Sequence, residues 1–543
     1  MELIDQHTKK IMEGCKERAR SAGLRFSDET LEYIVTNRDM LELSPKLMIP
    51  TLYDYWVHDV DVMKEKGRYE LYPHNPYETV INTRPAISFY NDNNPDWLNV
   101  MIFYHVLAHI DFFQNNQFFS HTWEYDLAGQ ALADKRLINR LRSEKGRWVD
   151  YIIEFARGID NLVGYYHELG CIDRPHETYQ SRRRDFYFDV FLQSSKRVKT
   201  AGYIREIERY NESMKQNSEL GEDDFFAGVT AKYPEFETVF HKYLEEKEPS
   251  RLDLLQFIMK HSAFLNQDEN RWMKSIMEIV RKTSIYFEPQ IRTKVMNEGW
   301  ASYWHEKLFM EDERIKGHEV DFARVHSGVT SLPRVGLNPY ALGMRLFHDI
   351  EEAADRGKHT FAFKNIRDAQ QREHYDTATG QGLSYLFHVR EHFSDFLFIN
   401  NFVNQDFVNR YKVFVVGKRL NRERMVWEYY VKSRNADDYR QMLLDLLYHP
   451  PSITFDRDKS VDRTLYLNHR FEEKPLVQGF IANTMLGIEF LWGGKVQLET
   501  SEAVPVSASE YNGEKKPVTW RRVLYTMENR TMEKTELQDS GDQ

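Results

Sequence analysis

The sequence predicts a mainly α-helical protein with short β-strands ahead of one histidine-bearing helix and a smaller α+β domain at the C-terminal end. Three observations carry this. Long stretches repeat apolar residues at helical spacing. Glycine is sparse, 26 in 543 residues, which suits helices better than a turn-rich β design. From about residue 406 the texture changes to short alternating segments, KVFVVGK, MVWEYYVKS, SITFDRD, TLYLNHRF and KVQLET, around one helix at Ala436–Tyr448. The expected division is 1–405 for the helical domain, 406–532 for the α+β domain and 533–543 for a loose polar tail.

Element by element, residues 1 to about 70 read as amphipathic helices with a cap at Ser27-Asp28-Glu29. Glu78–Asn82 and Ala86–Tyr90, split by Arg84-Pro85, read as strands or an edge hairpin. Trp97 to about Phe119 returns to helical spacing. Residues 176–248 are highly charged helical stretches, expected as a surface elaboration of the helical domain, and Arg182-Arg183-Arg184 followed by Asp185 reads as a solvated face. Helices resume from Leu252 to about Asp355, and another covers Ser384 to about Phe398.

The bulk numbers bound the function. A hydrophobic fraction of 41% and an aromatic fraction of 14% supply a large core, so disorder is excluded for most of the length. A net charge of −11 argues against a nucleic-acid partner. Two cysteines, Cys15 and Cys171, leave no disulfide framework and no thiolate zinc cluster. MELIDQHTKK lacks the basic-then-apolar pattern of a signal peptide, and the apolar run Leu476–Ile488 falls short of the ~18 residues a membrane span needs. A cytoplasmic protein with no membrane span is expected.

Chemistry points first to the histidines. YHVLAHIDFFQNN sets His105 and His109 one helical turn apart on one face, where two imidazoles can hold one divalent metal. Twenty histidines in this length make about one such pair by chance, and a second exists at His388 and His392. The first pair has the richer context, with Asn115, Asn116 and His121 just after it. Far along the chain, TKVMNEGWASYWHEKLF places Asn297, Glu298 and His305 on a helix. Glu298 and His305 share a face but stand two turns, ~10.5 Å, apart, so one metal could hardly take both. If Glu298 is the ligand, His305 faces substrate or the second sphere. In HSGVTSLPRVGLNPYALGMRLFHDIEEAADRG, Asn338 caps a helix from Pro339 to about Asp355, and Gly343 permits close approach of another backbone. His326 in the preceding loop, and His348 with Glu351 or Glu352 as a polar ridge, are further candidates for substrate contacts.

The pairing of HVLAHIDFFQNN with NEGWA resembles the gluzincin metallopeptidases, and implies a zincin-like helical core whose preceding strand holds an extended peptide. Residue by residue, the resemblance makes His105, His109 and Glu298 ligands of a divalent transition metal, zinc in that family. Two departures stand out. Val106 occupies the place of the catalytic Glu, and the gap to Glu298 is much longer than in the aminopeptidases. His121, Glu124 and His305 are the nearest replacement bases in sequence, with His305 and His121 the catalytic candidates. His388-Val-Arg-Glu391-His392 fits the inverted motif H-x-x-E-H, yet SYLFHVREHFSDFLF reads as an ordinary amphipathic helix.

HVLAHIDFFQNN, YFEPQIRTKVMNEGWASYWHEKLF and NPYALGMRLFHDIEEAADRG, in this order, resemble the stage V sporulation protein R family along nearly the whole chain. That resemblance implies a role in spore cortex formation or cell-envelope processes and supplies no settled activity. The first reading is a metal-binding scaffold or regulator with a degenerate site, reaching protein partners through its C-terminal domain. The alternative is a metal-dependent hydrolase of peptide or peptidoglycan-related amides.

Overall fold

A computed structural model describes residues 2–27, 29–37, 39–40, 78–165, 179–196, 198, 200–216, 221–421, 426–447, 449–461, 463–472, 474–505 and 518–537. It is mainly helical with small sheets. Two compact units divide the chain, Met1–Ala156 with Ser275–Pro450 and Arg157–Lys274 with Pro451–Gln543. The division differs from the expected cut near residue 405. The hairpin and helix up to Pro450 belong with the helical unit, and the charged segment 176–248 belongs with the C-terminal strands.

The first unit opens with β1 (Glu2–Leu3), α1 (Gln6–Ser21) and β2 (Thr30–Val35). The expected cap at Ser27-Asp28-Glu29 introduces no helix: Thr30–Val35, with Thr, Ile and Val in six residues, pairs in parallel with β4. Residues 41–77 and Asp28 lie outside the described residues. The strands expected around Arg84-Pro85 are β3 (Glu78–Ile81) and β4 (Ala86–Asn91), antiparallel with Ile81 opposite Ile87. The sheet runs β1-β2-β4-β3, so β3 is an edge strand among the described residues.

Next comes α2 (Asp96–Asn115), in which every residue from Leu98 to Phe113 is buried. A helix apolar on all sides has to run through the core. Against it pack α3 (Lys294–Glu311) and α6 (Gly382–His392), and α5 (Pro339–Asp355) packs on both of these, with α4 (Glu319–Val329) between α3 and α5 in sequence. Asn338 caps α5 as expected, its side chain accepting from the Ala341 N–H. The α3–α5 crossing brings backbones into contact. A Cβ on Gly343 would stand 2.7 Å from Gly299 Cα, and one on Gly299 would stand 2.8 Å from Met344 N. Only glycine fits both places.

Buried polar groups pin these helices in position. Asp111 on α2 accepts from Trp300 Nε1 on α3 at 2.9 Å and from the Arg25 N–H at 2.7 Å, and faces Arg390 of α6 at 3.4 Å. Asp395 accepts from the N–H groups of Val295 and Met296, closing the N-terminus of α3. The helix expected over Ser384–Phe398 is two, broken after His392 and resuming at Asp395. Strands β5 (Val415–Asn421) and β6 (Val426–Ser433) form a separate antiparallel hairpin.

In the second unit, β7 (Ser452–Asp456), β8 (Leu465–Arg470), β9 (Val496–Pro505), β10 (Val518–Glu528) and β11 (Thr531–Glu536) form a sheet ordered β11-β10-β9-β8-β7. The apolar run that includes Leu476–Ile488 lies largely in α7 (Gln478–Trp492), packed on β9 and β10. No described helix is long and apolar enough to cross a membrane. The polar tail does not begin at residue 533, because Thr531–Glu536 pairs with β10. The charged segment has its own aromatic core of Phe186, Tyr187, Phe191, Phe225, Phe226 and Phe236. Its basic run is half-buried rather than solvated: Arg183 pairs with Glu237 and lies over the Phe226 ring.

Candidate metal centre

α2 presents His105 and His109 into the first unit's core, and the first turns of α3 bring Glu298 up to them. One nitrogen from each ring and one Glu298 oxygen lie within 4.8 Å of one another, the one such group of three among the described residues. The two Nε2 atoms are 3.1 Å apart, near the roughly 3.3 Å that two nitrogens keep across a tetrahedral zinc with bonds of about 2.0–2.1 Å. His109 Nε2 lies 3.5 Å from Glu298 Oε2.

Neighbouring groups orient the donors. His109 Nδ1 donates to Asn297 Oδ1 at 2.9 Å, leaving Nε2 as a lone pair aimed at the cluster. Tyr340, from the first turn of α5, hydrogen-bonds the Glu298 carboxylate, and the charge of Glu298 first and burial second raise the phenol pKa well above its usual range. Its ring stacks on His105 with centroids 6.1 Å apart. Glu298 Oε2 is buried and has no hydrogen-bond partner. A buried carboxylate oxygen beside imidazole lone pairs is costly unless a cation joins them. Burial, together with neighbouring His109 and His305, holds the His105 pKa well below its usual value. The ring is therefore neutral near pH 7, as a metal ligand must be.

Glu78, at the start of β3, is the functional candidate missed in the sequence. Its Oε1 lies 3.8 Å from His105 Nε2, outside the group of three. Burial first, and the Glu298 charge second, push its carboxyl up to about 7. No local signal marks it, because charged residues are common on edge strands and only the packing of β3 on α2 brings Glu78 to the histidines.

The remaining candidates scatter. His305 sits behind His105, its Nδ1 2.9 Å from His105 Nδ1, and its own Nε2 is 2.8 Å from His326 Nδ1. His326 is on α4, not in a loop. His348 pairs across to Glu306 of α3 at 2.9 Å, while Glu351 accepts from Tyr303 and Lys307, so no ridge forms along α5. His121 bonds the Ile285 carbonyl and Glu124 is exposed; neither joins the cluster. Asn115 bonds the carbonyls of Arg25 and Asp111, Asn116 those of Arg390 and Phe393, and Asn338 those of Val329 and Ser331, so all three hold backbone. His392 Nδ1 donates to the His388 carbonyl, and no third donor joins that pair among the described residues.

A family model described as SpoVR like protein matches residues 3–449. The chain belongs to the SpoVR-like family. The match ends one residue before the last residue of the first unit, so it spans the whole candidate centre. An Escherichia coli (strain K12) relative, "Uncharacterized protein YcgB", is 25% identical over 494 residues, 86% of each chain. No solved structure matches this SpoVR-like chain.

Proposed function

We propose that this SpoVR-like protein holds one divalent transition metal, zinc by its donor set, between His105, His109 and Glu298, and that the centre hydrolyses amide bonds. The observation that carries the reading is the convergence of two oriented imidazole nitrogens on a buried, unbonded carboxylate oxygen. Two histidines and a glutamate are a catalytic zinc set, with one position left for a reacting group. A zinc ion there supplies Lewis acidity toward a carbonyl and lowers the pKa of water.

The chain's own residues supply the rest. Glu78 takes the role denied to Val106, a carboxylate that accepts a proton at Oε1 on the His105 side of the cluster. Tyr340 orients Glu298 and closes the face of His105. β3 offers a free edge, among the described residues, to an extended peptide. A zincin-like core, a cytoplasmic setting and a peptide or peptidoglycan-related substrate in envelope or sporulation physiology complete this reading. A scaffold or regulator with a structural metal, reaching partners through its C-terminal strands, is the second reading. It is favoured by Val106, which is fully buried where a base would stand.

Metal analysis of purified protein tests the first claim: about one equivalent in the wild type, lost in His105→Ala and Glu298→Gln. Wild-type protein that takes up no divalent transition metal refutes both readings. Peptide and muropeptide libraries with zinc-loaded wild type and Glu78→Gln then separate enzyme from scaffold.

A further inference from the structure

Behind the centre runs a file of imidazole rings, buried at His105 and His305 and half-buried at His326. His105 Nδ1 lies 2.9 Å from His305 Nδ1, and His305 Nε2 lies 2.8 Å from His326 Nδ1. His326 Nε2 faces Glu306 Oε1 at 3.6 Å, and Glu306 Oε2 accepts from His348 Nε2 at 2.9 Å. Glu306 and His348 line a cavity of about 830 Å³ together with Arg345, Glu351 and Tyr411. A neutral imidazole carries one N–H, so each bond dictates the next.

With a cation at the centre, His105 Nε2 gives its lone pair and its proton sits on Nδ1, donated to His305. His305 then donates from Nε2 to His326, and His326 points its N–H at the Glu306 carboxylate. Without the cation the file runs backwards. His109 keeps its proton on Nδ1 for Asn297. The 3.1 Å contact between the two Nε2 atoms therefore needs a proton on His105 Nε2. His305 and His326 must then both donate from Nδ1, which leaves a lone pair of His326 facing an anion.

We infer that cation loading reverses the tautomers of His105, His305 and His326 together, and that Glu306 is the positioning residue that favours the loaded set. The inference rests on the metal reading above. Protons balance: one leaves His105 Nε2 for water, one passes from His305 Nδ1 to His105 Nδ1, and one passes from His326 Nδ1 to His305 Nε2. His326 Nε2 takes one from water, and every ring stays neutral. Hydrogen bonding from His348 holds Glu306 below the usual carboxylate range, so it remains an acceptor. Occupancy of the buried centre is thereby registered at the cavity wall.

The test is nitrogen NMR of histidine-labelled full-length protein, with and without zinc, assigned through His305→Gln and His326→Gln. The protonated nitrogens of His305 and His326 should exchange places on loading. Glu306→Gln, whose amide can donate to His326 Nε2, should weaken zinc binding about 10- to 100-fold while leaving the melting temperature of the metal-free protein unchanged. Zinc bound with unaltered tautomers, or wild-type affinity in Glu306→Gln, overturns this inference alone. Wild type that takes no zinc overturns the metal reading and this inference with it.

Discussion

A single methyl group at position 343 should disable the centre more than it destabilises the fold. In Gly343→Ala the new Cβ would stand 2.7 Å from Gly299 Cα, whereas carbon atoms pack at about 3.5–4.0 Å. α3 and α5 must therefore part by about 1 Å. Overpacking of this size costs about 1–3 kcal/mol, and the better helix propensity of alanine returns about 1 kcal/mol. The net loss is then about 0–2 kcal/mol. Glu298 directly precedes Gly299, and Tyr340, its hydrogen-bond partner, lies one turn before Gly343. A metal site tolerates about 0.2 Å in its ligand distances, far less than the helices must move. Urea denaturation of the metal-free variant should show this modest loss, while zinc content falls well below one equivalent. Gly328→Ala, on α4 with nothing within 4 Å of its Cβ, should leave zinc content unchanged and, with the same propensity gain and no clash, should not lower stability. Full zinc content and wild-type stability in Gly343→Ala would refute the argument that this crossing sets the position of Glu298.

Three further outcomes follow from other contacts. Glu78→Gln should retain about one equivalent of zinc and lose turnover; zinc loss in that variant would make Glu78 a ligand instead of a base. Replacing both His388 and His392 with Ala should leave zinc content untouched, since no third donor meets them among the described residues; a fall by half or more contradicts this. Asp312 supplies a pH dependence. Burial raises its pKa, but hydrogen bonds from Arg314 and Tyr104 outweigh that and hold it at about 2. Against an unfolded value of about 3.9, the depressed pKa stabilises the fold by about 2 kcal/mol above pH 5, a contribution lost as pH falls toward 2. The stability gap between wild type and Asp312→Asn should close over that window, and a gap constant with pH rules the pairing out.

What could be read from the sequence was what local patterns encode. The Asn338 cap, the hairpin around Arg84-Pro85 and the close approach at Gly343 each follow from residues adjacent in the chain. Misread elements were those settled by distant partners. Thr30–Val35 became a strand because β4 offers it a parallel edge, a pairing between segments more than fifty residues apart. Residues 533–536 looked like tail because they are polar; their backbone pairing with β10 makes them the end of a strand. The charged segment 176–248 hid an aromatic core, since its phenylalanines are spread over several helices between acidic and basic runs.

The centre divides along the same line. His105 and His109 share a helix face, so their convergence was a local fact, and NEGWA carried Glu298 by resemblance. Glu78 carried no such mark, because a strand residue reaches a helix-borne site only through the sheet's register and the packing of its edge on α2. The contacts of His305 and His326 were hidden for a related reason. Spacing along α3 put His305 two turns from Glu298 and suggested a second-sphere or substrate-facing group; α2 crosses α3 so that both residues touch the same pair of histidines from different sides, which puts His305 behind His105. Glu298 meets His109 at Nε2, and His305 meets His105 at Nδ1. One helix thus offers a carboxylate to the front of the cluster and a ring to its back, which a single metal at one point on α3 could not have suggested.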